Sequence, residues 1–191
     1  MSNIYAKILE KAERGEAATL QTEFSGAEGS IRECLSKSLA PYAPRIDARG
    51  RRFADVTLTQ ADDRFTVGEP FSPPERLIIL GAGHIALPVC EFAAKSGFEV
   101  YVCDDRPAFA NTARFPLAQQ VLCDSFEHCI GSLKITSYDY VVVITRGHTH
   151  DADCLRAIFQ GTQPAYLGLI GSRRRVRGLF DMLLGEGCPK A

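Results

Sequence analysis

The spacing of hydrophobic and polar residues changes near residue 70. Over residues 4–12 the apolar positions recur at helical spacing, which predicts a short first helix. Residues 18–24 and 54–58 then alternate apolar and polar side chains, as half-buried strands do. The second of these runs is followed by a polar turn and by Phe65 and Val67, which indicates a β-hairpin. We therefore expect residues 1–70 to form a small N-terminal α+β region.

A different pattern begins after a proline-rich segment, Glu69–Pro74, which excludes helix and interior strand. From there apolar strands, turns and helices repeat, and the strands are continuously apolar, as strands buried on both faces of a parallel sheet are. The pattern predicts a doubly wound, Rossmann-like α/β domain with a mostly parallel sheet over residues 75–191. The expected strands are 76–80, 99–103, 120–123, 140–144 and 165–169, and the expected helices are 84–96, 151–160 and 173–184.

The first strand runs directly into a glycine-rich turn, Gly81-Ala-Gly-His-Ile-Ala86. In a dinucleotide-binding turn of this form, Gly81 permits the tight turn and Gly83 lets the backbone approach a phosphate. The amides at the start of the next helix would then bind a pyrophosphate. His84 would lie near the positive end of the helix dipole, so we expect a neutral imidazole. A glycine turn that only packs, with a structural His84, is the alternative.

The second strand is followed by Asp104, Asp105 and Arg106, about 20 residues beyond the glycines. A carboxylate at the position of Asp104 accepts hydrogen bonds from ribose hydroxyls in this fold and favours NAD over NADP. Arg106 opens the alternative of contact with a phosphate. Ordinary turn chemistry, with an ion pair such as that of Asp105 with Arg106, is a further interpretation.

The fourth strand ends in Thr145-Arg-Gly-His-Thr-His-Asp151, the densest cluster of functional groups in the chain. The crevice of a doubly wound sheet opens between its first and fourth strands, so Thr145, Arg146 and His148 should face the glycine turn. His148 and His150 are weak candidates for a metal site, because two histidines one residue apart on a loop are not a specific pattern. For Asp151 we favour a role as helix N-cap.

The fifth strand is followed by Gly171-Ser-Arg-Arg-Arg175. Ser172 is a good N-cap, whereas cations such as Arg173 and Arg174 in a first helical turn oppose the dipole by about 0.3–1 kcal/mol each. That unfavourable charge suggests a nearby anion, because the guanidinium fork suits phosphate and carboxylate. A solvated arginine face is the alternative.

Composition narrows the class of protein. With 46% hydrophobic and 24% charged residues the chain is expected to be globular, and a net charge of −1 argues against a protein that coats nucleic acid or an anionic membrane. The longest apolar stretch, 77–90, is interrupted by His84, two glycines and a proline, so it cannot span a bilayer.

The cysteine pattern and the N-terminus suggest a cytoplasmic location. The seven cysteines are scattered without a C-x-x-C pair, as expected for reduced thiols. Cys103 and Cys123 are expected to be small core residues of strands. The N-terminus has no basic segment followed by an apolar one, so no secretory signal is visible.

Four segments together resemble the Rossmann domain of the xanthine dehydrogenase accessory family (XdhC/CoxI). These segments are Gly81–His84, Cys103–Pro107 with Arg114-Phe-Pro116, Thr145–Asp151 and Leu169–Arg174. The resemblance covers about residues 70 to 180. The family's Gly-Gly-Cys-Glu-like motif has no counterpart before residue 70.

The resemblance implies an accessory protein that binds molybdenum cofactor, a pyranopterin with a phosphate or a dinucleotide tail, and assists its sulfuration and insertion. It implies a molybdenum hydroxylase of the xanthine dehydrogenase type as partner, together with a sulfurtransferase. The cofactor-binding residues would be Gly81, Gly83, His84, Asp104, Asp105, Arg106, Thr145, Arg146, His148, Gly171, Ser172, Arg173 and Arg174.

Two other functions stay open from the residues alone. One is an NAD(P)-dependent oxidoreductase in which Asp104 holds the ribose and His148 transfers a proton; the other is a nucleotide-sensing regulator without chemistry. No catalytic residue can be assigned between them. Because the last strand of the sheet has no evident neighbour, we also expect a homodimer or a larger homo-oligomer.

Overall fold

The computed structural model describes residues 3–27, 30–42, 45–46, 52–53 and 55–188. The chain divides into two compact units, 1–73 and 74–191. The N-terminal unit opens with α1 (Ile4–Glu13), capped by Asn3, whose side chain accepts a hydrogen bond from the Tyr5 amide at 3.1 Å. The predicted first helix is therefore confirmed.

Antiparallel strands follow α1 in the described part of this unit. The four-stranded sheet has the order β2-β1-β6-β5, with β1 (Ala18–Ala27), β2 (Ser30–Pro41), β5 (Thr57–Ala61) and β6 (Arg64–Phe71). A two-stranded ribbon pairs β3 (Arg45–Ile46) with β4 (Arg52–Phe53).

The predicted hairpin of this unit is confirmed as β5–β6, with Asp62 at φ +54° in its turn. Residue 54, at the start of the predicted run, lies outside the described residues. Strand β2 was not predicted, because its side chains from Ile31 to Ser38 are all exposed and show no apolar alternation.

The second unit is a parallel, doubly wound sheet, as the sequence predicts. Its strands have the order β11-β10-β7-β8-β9. Helix α3 was not predicted; the other elements begin and end within about three residues of the predicted bounds. In chain order the elements are β7 (Arg76–Leu80), α2 (Ala86–Lys95), β8 (Glu99–Asp104), β9 (Gln120–Cys123), α3 (Phe126–Leu133), β10 (Tyr140–Val143), α4 (His148–Phe159), β11 (Tyr166–Leu169) and α5 (Arg173–Gly185).

The sheet is buried on both faces, which explains its continuously apolar strands. In β7, Ile78 and Leu80 pack in the cluster formed with α3, α4 and α5, while Leu77 and Ile79 pack in the cluster formed with α2. Each such fully buried side chain contributes about 1.5–3 kcal/mol. Within the described ranges, no helix is long and apolar enough to cross a membrane.

The cysteine prediction for the strands is half wrong. Cys103 is fully buried in the cluster that α3–α5 cover, but Cys123 is exposed. The difference follows from position, because Cys123 is the last residue of the edge strand β9.

Candidate functional site

The strand order opens a crevice at the carboxyl ends of β7 and β10. The chain passes from β7 to β8 on one side of the sheet centre, whereas β10 lies on the other side of β7. Loops therefore diverge at this point, which is where ligands bind in open α/β sheets. The segments that follow β7, β8, β10 and β11 all meet at this edge.

Gly81 is required where β7 turns into the crevice. Its φ is +114°, and a Cβ at this position would lie 2.3 Å from the carbonyl oxygen of Ile144. Its amide donates to the Cys103 carbonyl at 2.7 Å. The tight turn expected of Gly81 is thus present, and it brings the glycine turn against the end of β10.

Residues 83–85, just beyond Ala82, form an open turn before α2. A Cβ on Gly83 would meet nothing within 4 Å, so the space beside this residue is free. Among the described residues, none accepts a hydrogen bond from the amides of Gly83, His84 or Ile85. His84 is exposed and lies in the turn just before α2 rather than within the helix. The geometry suits a phosphate or another anion.

Asp104 is fully buried beneath the glycine turn, and its acceptors are occupied from inside the protein. Its carboxylate accepts the amide of Ala82 at 2.8 Å and the guanidinium of Arg106 at 2.7 and 2.8 Å. Burial alone would raise the pKa of Asp104, but the hydrogen bonds from Arg106 and Ala82 outweigh it and lower the pKa to about 2. Asp104 is therefore ionised and fastens the glycine turn to the end of β8.

This arrangement changes the interpretation of Asp104 and Arg106. A ribose hydroxyl could bond to Asp104 only by displacing Arg106, whose guanidinium also stacks on the ring of Phe109 at 3.8 Å. The ion pair suggested for Asp105 with Arg106 is long, at 3.9 Å. The roles in cofactor binding stay predictions, while the observed role of Asp104 is structural.

A second ion pair spans the crevice. Arg146, in the loop after β10, donates to both oxygens of Asp105, in the loop after β8, at 2.7 and 2.9 Å. Both side chains are partly exposed, so solvent screens this pair more than it screens the buried Asp104 pair. The guanidinium of Arg146 is aimed at Asp105 and would have to leave it to bind an anion.

The prediction that Asp151 is an N-cap is wrong. Helix α4 begins three residues earlier, at His148, with Gly147 as N-cap. Asp151 is fully buried and accepts hydrogen bonds from the hydroxyl of Thr145 and from the guanidinium of Arg175 in α5. Asp151 thus joins the loop after β10 to α5.

Sequence reasoning missed Arg175 as a member of the site. The sequence signal that could have indicated Arg175 is its place in the Arg173–Arg175 run. In the structure, Arg175 pairs with the buried Asp151. Its Nε is buried and has no acceptor among the described residues. Arg173 and Arg174 are exposed, as are Gly171 and the N-cap Ser172, which accepts the Arg175 amide at 3.3 Å.

The structure tests only one of the two histidines that were candidates for a metal site. His150 packs edge-to-face on Phe126, with ring centroids 5.6 Å apart, so it is part of the α3–α4 contact. The side chain of His148 lies outside the part of the chain that the structure describes. Within that part, no group of three or more His, Cys, Asp or Glu residues could hold a metal ion.

The site therefore has two layers with different chemistry. The inner layer consists of residues that bond one another across the loops, namely Asp104, Arg106, Asp105, Arg146, Thr145, Asp151 and Arg175. The outer layer consists of the amides of residues 83–85, which have no acceptor among the described residues, and the exposed side chains of Arg173 and Arg174. The outer layer can bind an anion, and the inner layer holds the loops in place.

Comparison with known proteins shows the family of this chain. A family profile described as the XdhC Rossmann domain matches residues 77–191, more than half of the chain. The chain belongs to the XdhC family. The resemblance seen in the four sequence motifs is therefore confirmed, and the matched range coincides with the parallel sheet and its helices.

Two curated relatives of this XdhC-family chain match the same part of it. A Bacillus subtilis (strain 168) protein, named as a probable subunit of xanthine dehydrogenase, is 35% identical over 109 residues, 57% of this chain and 33% of that protein. The "Uncharacterized protein YqeB" of Escherichia coli (strain K12) is 32% identical over 114 residues, 59% of this chain and 20% of that protein. The chain thus spans a third or less of the length of these relatives.

A solved structure resembles more of the chain. A crystal structure described as a xanthine dehydrogenase from Bacillus halodurans aligns with a TM-score of 0.66 and 22% identity. The alignment covers 92% of this chain and 54% of that one. At this identity the likeness concerns the fold alone.

Proposed function

We propose that this protein is an accessory factor that binds molybdenum cofactor and assists its insertion into a molybdenum hydroxylase of the xanthine dehydrogenase type. Membership of the XdhC family supports the accessory role, as does the name of the B. subtilis relative. The main structural support is the glycine turn, where three consecutive amides without acceptors among the described residues border open space at Gly83. This turn would receive the phosphate end of the cofactor.

The residues at the crevice fit the phosphate end of the cofactor. Backbone amides at the start of a helix bind phosphate without a compensating side chain, and Gly83 leaves room for phosphate oxygens to approach. The exposed guanidinium groups of Arg173 and Arg174 add positive charge at the same edge of the sheet. When bound, the cofactor would supply its redox-active molybdenum; the protein would bind the phosphate end and orient the cofactor.

The oxidoreductase alternative receives less support. Binding of NAD through Asp104 requires free carboxylate oxygens, and Ala82 and Arg106 already occupy them. Titration with NAD in a calorimeter tests this directly: saturable binding that Asp104→Ala abolishes would favour the dehydrogenase function instead. A homo-oligomeric state, a sulfurtransferase partner and a cytoplasmic location stay predictions.

A pterin-retention experiment tests the proposal. The full chain is mixed anaerobically with molybdopterin, passed through a desalting column, and analysed for the fluorescence of oxidised pterin. We expect the wild type and Gly131→Val to retain pterin, because Gly131 lies in α3 and has equally open space around its Cβ position. We expect Gly83→Val to lose it, since the added side chain stands between the amides and a phosphate. Retention by Gly83→Val, or none by the wild type at micromolar concentration, would overturn the proposal.

The partner is tested separately. Pull-down with a purified xanthine dehydrogenase lacking its cofactor should capture the protein, and transfer should restore hydroxylase activity. Absence of both capture and restored activity would show that the accessory role is wrong even if pterin binds.

A further inference from the structure

A cleft of about 560 Å³ lies between α4 and α5. Its floor is apolar, formed by Ala152, Leu179 and Met182, and arginines stand at its rim. No described residue of the glycine turn or of the loops after β8 and β10 lines it. The cleft is therefore a cavity apart from the crevice to which the proposed function refers.

The cations at the rim differ in what they already bind. Arg156 is neutralised by Glu186, at 2.7 Å, and by Asp153, at 2.9 Å. Arg174 has no hydrogen bond or ion pair with another described residue and is exposed. Arg175 uses one guanidinium nitrogen for Asp151, while its buried Nε has no acceptor among the described residues. Arg174 therefore offers a free positive charge to an anion in the cleft, whereas the charge of Arg175 is already balanced by Asp151.

A glycine in the middle of α5 widens this cleft. Gly178 lines the cavity, and a Cβ there would meet nothing within 4 Å. Glycine lowers helix stability relative to alanine, and neither a positive φ nor a close neighbour requires it at this position. Because Arg174, Gly178 and Met182 follow at intervals of four residues, they share one face of the helix. The missing side chain leaves room between the free guanidinium and the apolar floor.

We propose that this cleft binds a small phosphate ester, with the phosphate at Arg174 and Arg175 and the apolar part of the ligand against Leu179 and Met182. The free guanidinium of Arg174 supplies a positive charge for the phosphate, and its fork geometry suits the phosphate oxygens. The site goes beyond the proposed function, because the glycine turn takes no part in it. The two proposals share Arg174, so Gly178→Leu rather than Arg174→Gln distinguishes them.

Titration of the full chain with phenyl phosphate, followed by amide chemical shifts in ¹H–¹⁵N spectra, tests the proposal. We expect saturable shifts across residues 172–182. Arg174→Gln should weaken binding about tenfold, a loss of one charge-assisted contact. Gly178→Leu should abolish binding by filling the cleft, with an unchanged or raised melting temperature, because leucine favours helix and its Cβ would meet no other atom within 4 Å.

Matched control variants lie on the same helix. Arg177→Gln removes an exposed arginine that does not line the cleft, and Gly185→Leu adds the same side chain at another glycine with open surroundings. Both should bind phenyl phosphate as the wild type does. Unchanged binding by Gly178→Leu would overturn the proposal, as would the lack of saturable shifts up to about 10 mM ligand. Shifts confined to residues 83–85 would also overturn it, while leaving the proposed function of the glycine turn intact.

Discussion

Replacement of Asp104 by asparagine should destabilise the Rossmann unit, because this carboxylate fastens the glycine turn to β8. The amide keeps the shape of the side chain and one acceptor for the Ala82 amide. Its NH₂ group, however, would face the guanidinium of Arg106, so donor would meet donor and the arginine would lose its counter-charge.

The magnitude follows from the pKa. A carboxyl group that titrates at about 2 instead of 3.8 stabilises the folded state by about 2 kcal/mol at neutral pH. Loss of hydrogen bonds to a charged partner gives a similar figure, about 1.5–3 kcal/mol. We therefore expect Asp104→Asn to lower the free energy of unfolding of this unit by about 2–3 kcal/mol.

The sign of the pH dependence is fixed by the lowered pKa. As the pH falls, the unfolded chain takes up the proton first, so the stabilisation is complete above about pH 5 and disappears between about pH 4 and pH 2. The difference in stability between the wild type and Asp104→Asn should narrow over that interval.

Urea unfolding, monitored by hydrogen–deuterium exchange in peptides from β7 and β8, measures the change in stability of the Rossmann unit itself. The chain has two compact units and no tryptophan, so a global fluorescence signal would not separate them. Asp105→Asn is the control: its pair with Arg146 is partly exposed, and its loss should cost at most about 1 kcal/mol. Equal destabilisation by the two variants, or none by Asp104→Asn, would refute the assignment of Asp104 as the buried fastener.

Two other substitutions separate structural from ligand-binding positions. Gly81→Ala should lower the free energy of unfolding of the Rossmann unit by more than about 2 kcal/mol, because the φ of Gly81 is +114° and a Cβ there would clash with Ile144. In a thermal melt this variant should unfold at a markedly lower temperature, whereas Gly83→Ala should melt like the wild type. Similar melting of the two variants would contradict this geometry. Asp151→Asn should lower the free energy of unfolding by about 3 kcal/mol, because it leaves the guanidinium of Arg175 without its charge partner. Differential scanning calorimetry at neutral pH would detect this change. An unchanged melting temperature would show that the buried pair contributes no net stability.

The Rossmann unit was readable from sequence because its strands are buried on both faces. A continuously apolar run such as Leu77–Leu80 is typical of a strand buried on both faces of a parallel sheet. The place of the first strand beside the fourth follows from the doubly wound topology. Strand β2 could not be found in this way, since Ile31–Ser38 is exposed and its pairing with β1 depends on backbone hydrogen bonds that leave no side-chain pattern.

The positions of the site residues were predictable, but their partners were not. A motif places Asp104, Asp151 and Arg175 at one edge of the sheet, yet whether each meets a ligand or another side chain depends on loop geometry within about 3 Å. Asp151 was expected to cap a helix and bonds Arg175 instead, whereas Asp104 bonds Arg106 and its expected contact with a ribose stays a prediction. An acidic residue followed closely by arginine is a signal that could have suggested the first of these pairs.

The ion pairs that join the crevice loops limit how this domain can be re-engineered. Asp105 with Arg146, and Asp151 with Arg175, each connect segments more than 20 residues apart in sequence. A single loop exchanged with another Rossmann protein would leave one charge of a pair without its counterpart, and in the buried pair that is strongly unfavourable. Chimeras should therefore be most stable when the first turns of α4 and α5 are exchanged together. The exposed pair of Asp105 with Arg146 limits the exchange of the loops after β8 and β10 only weakly.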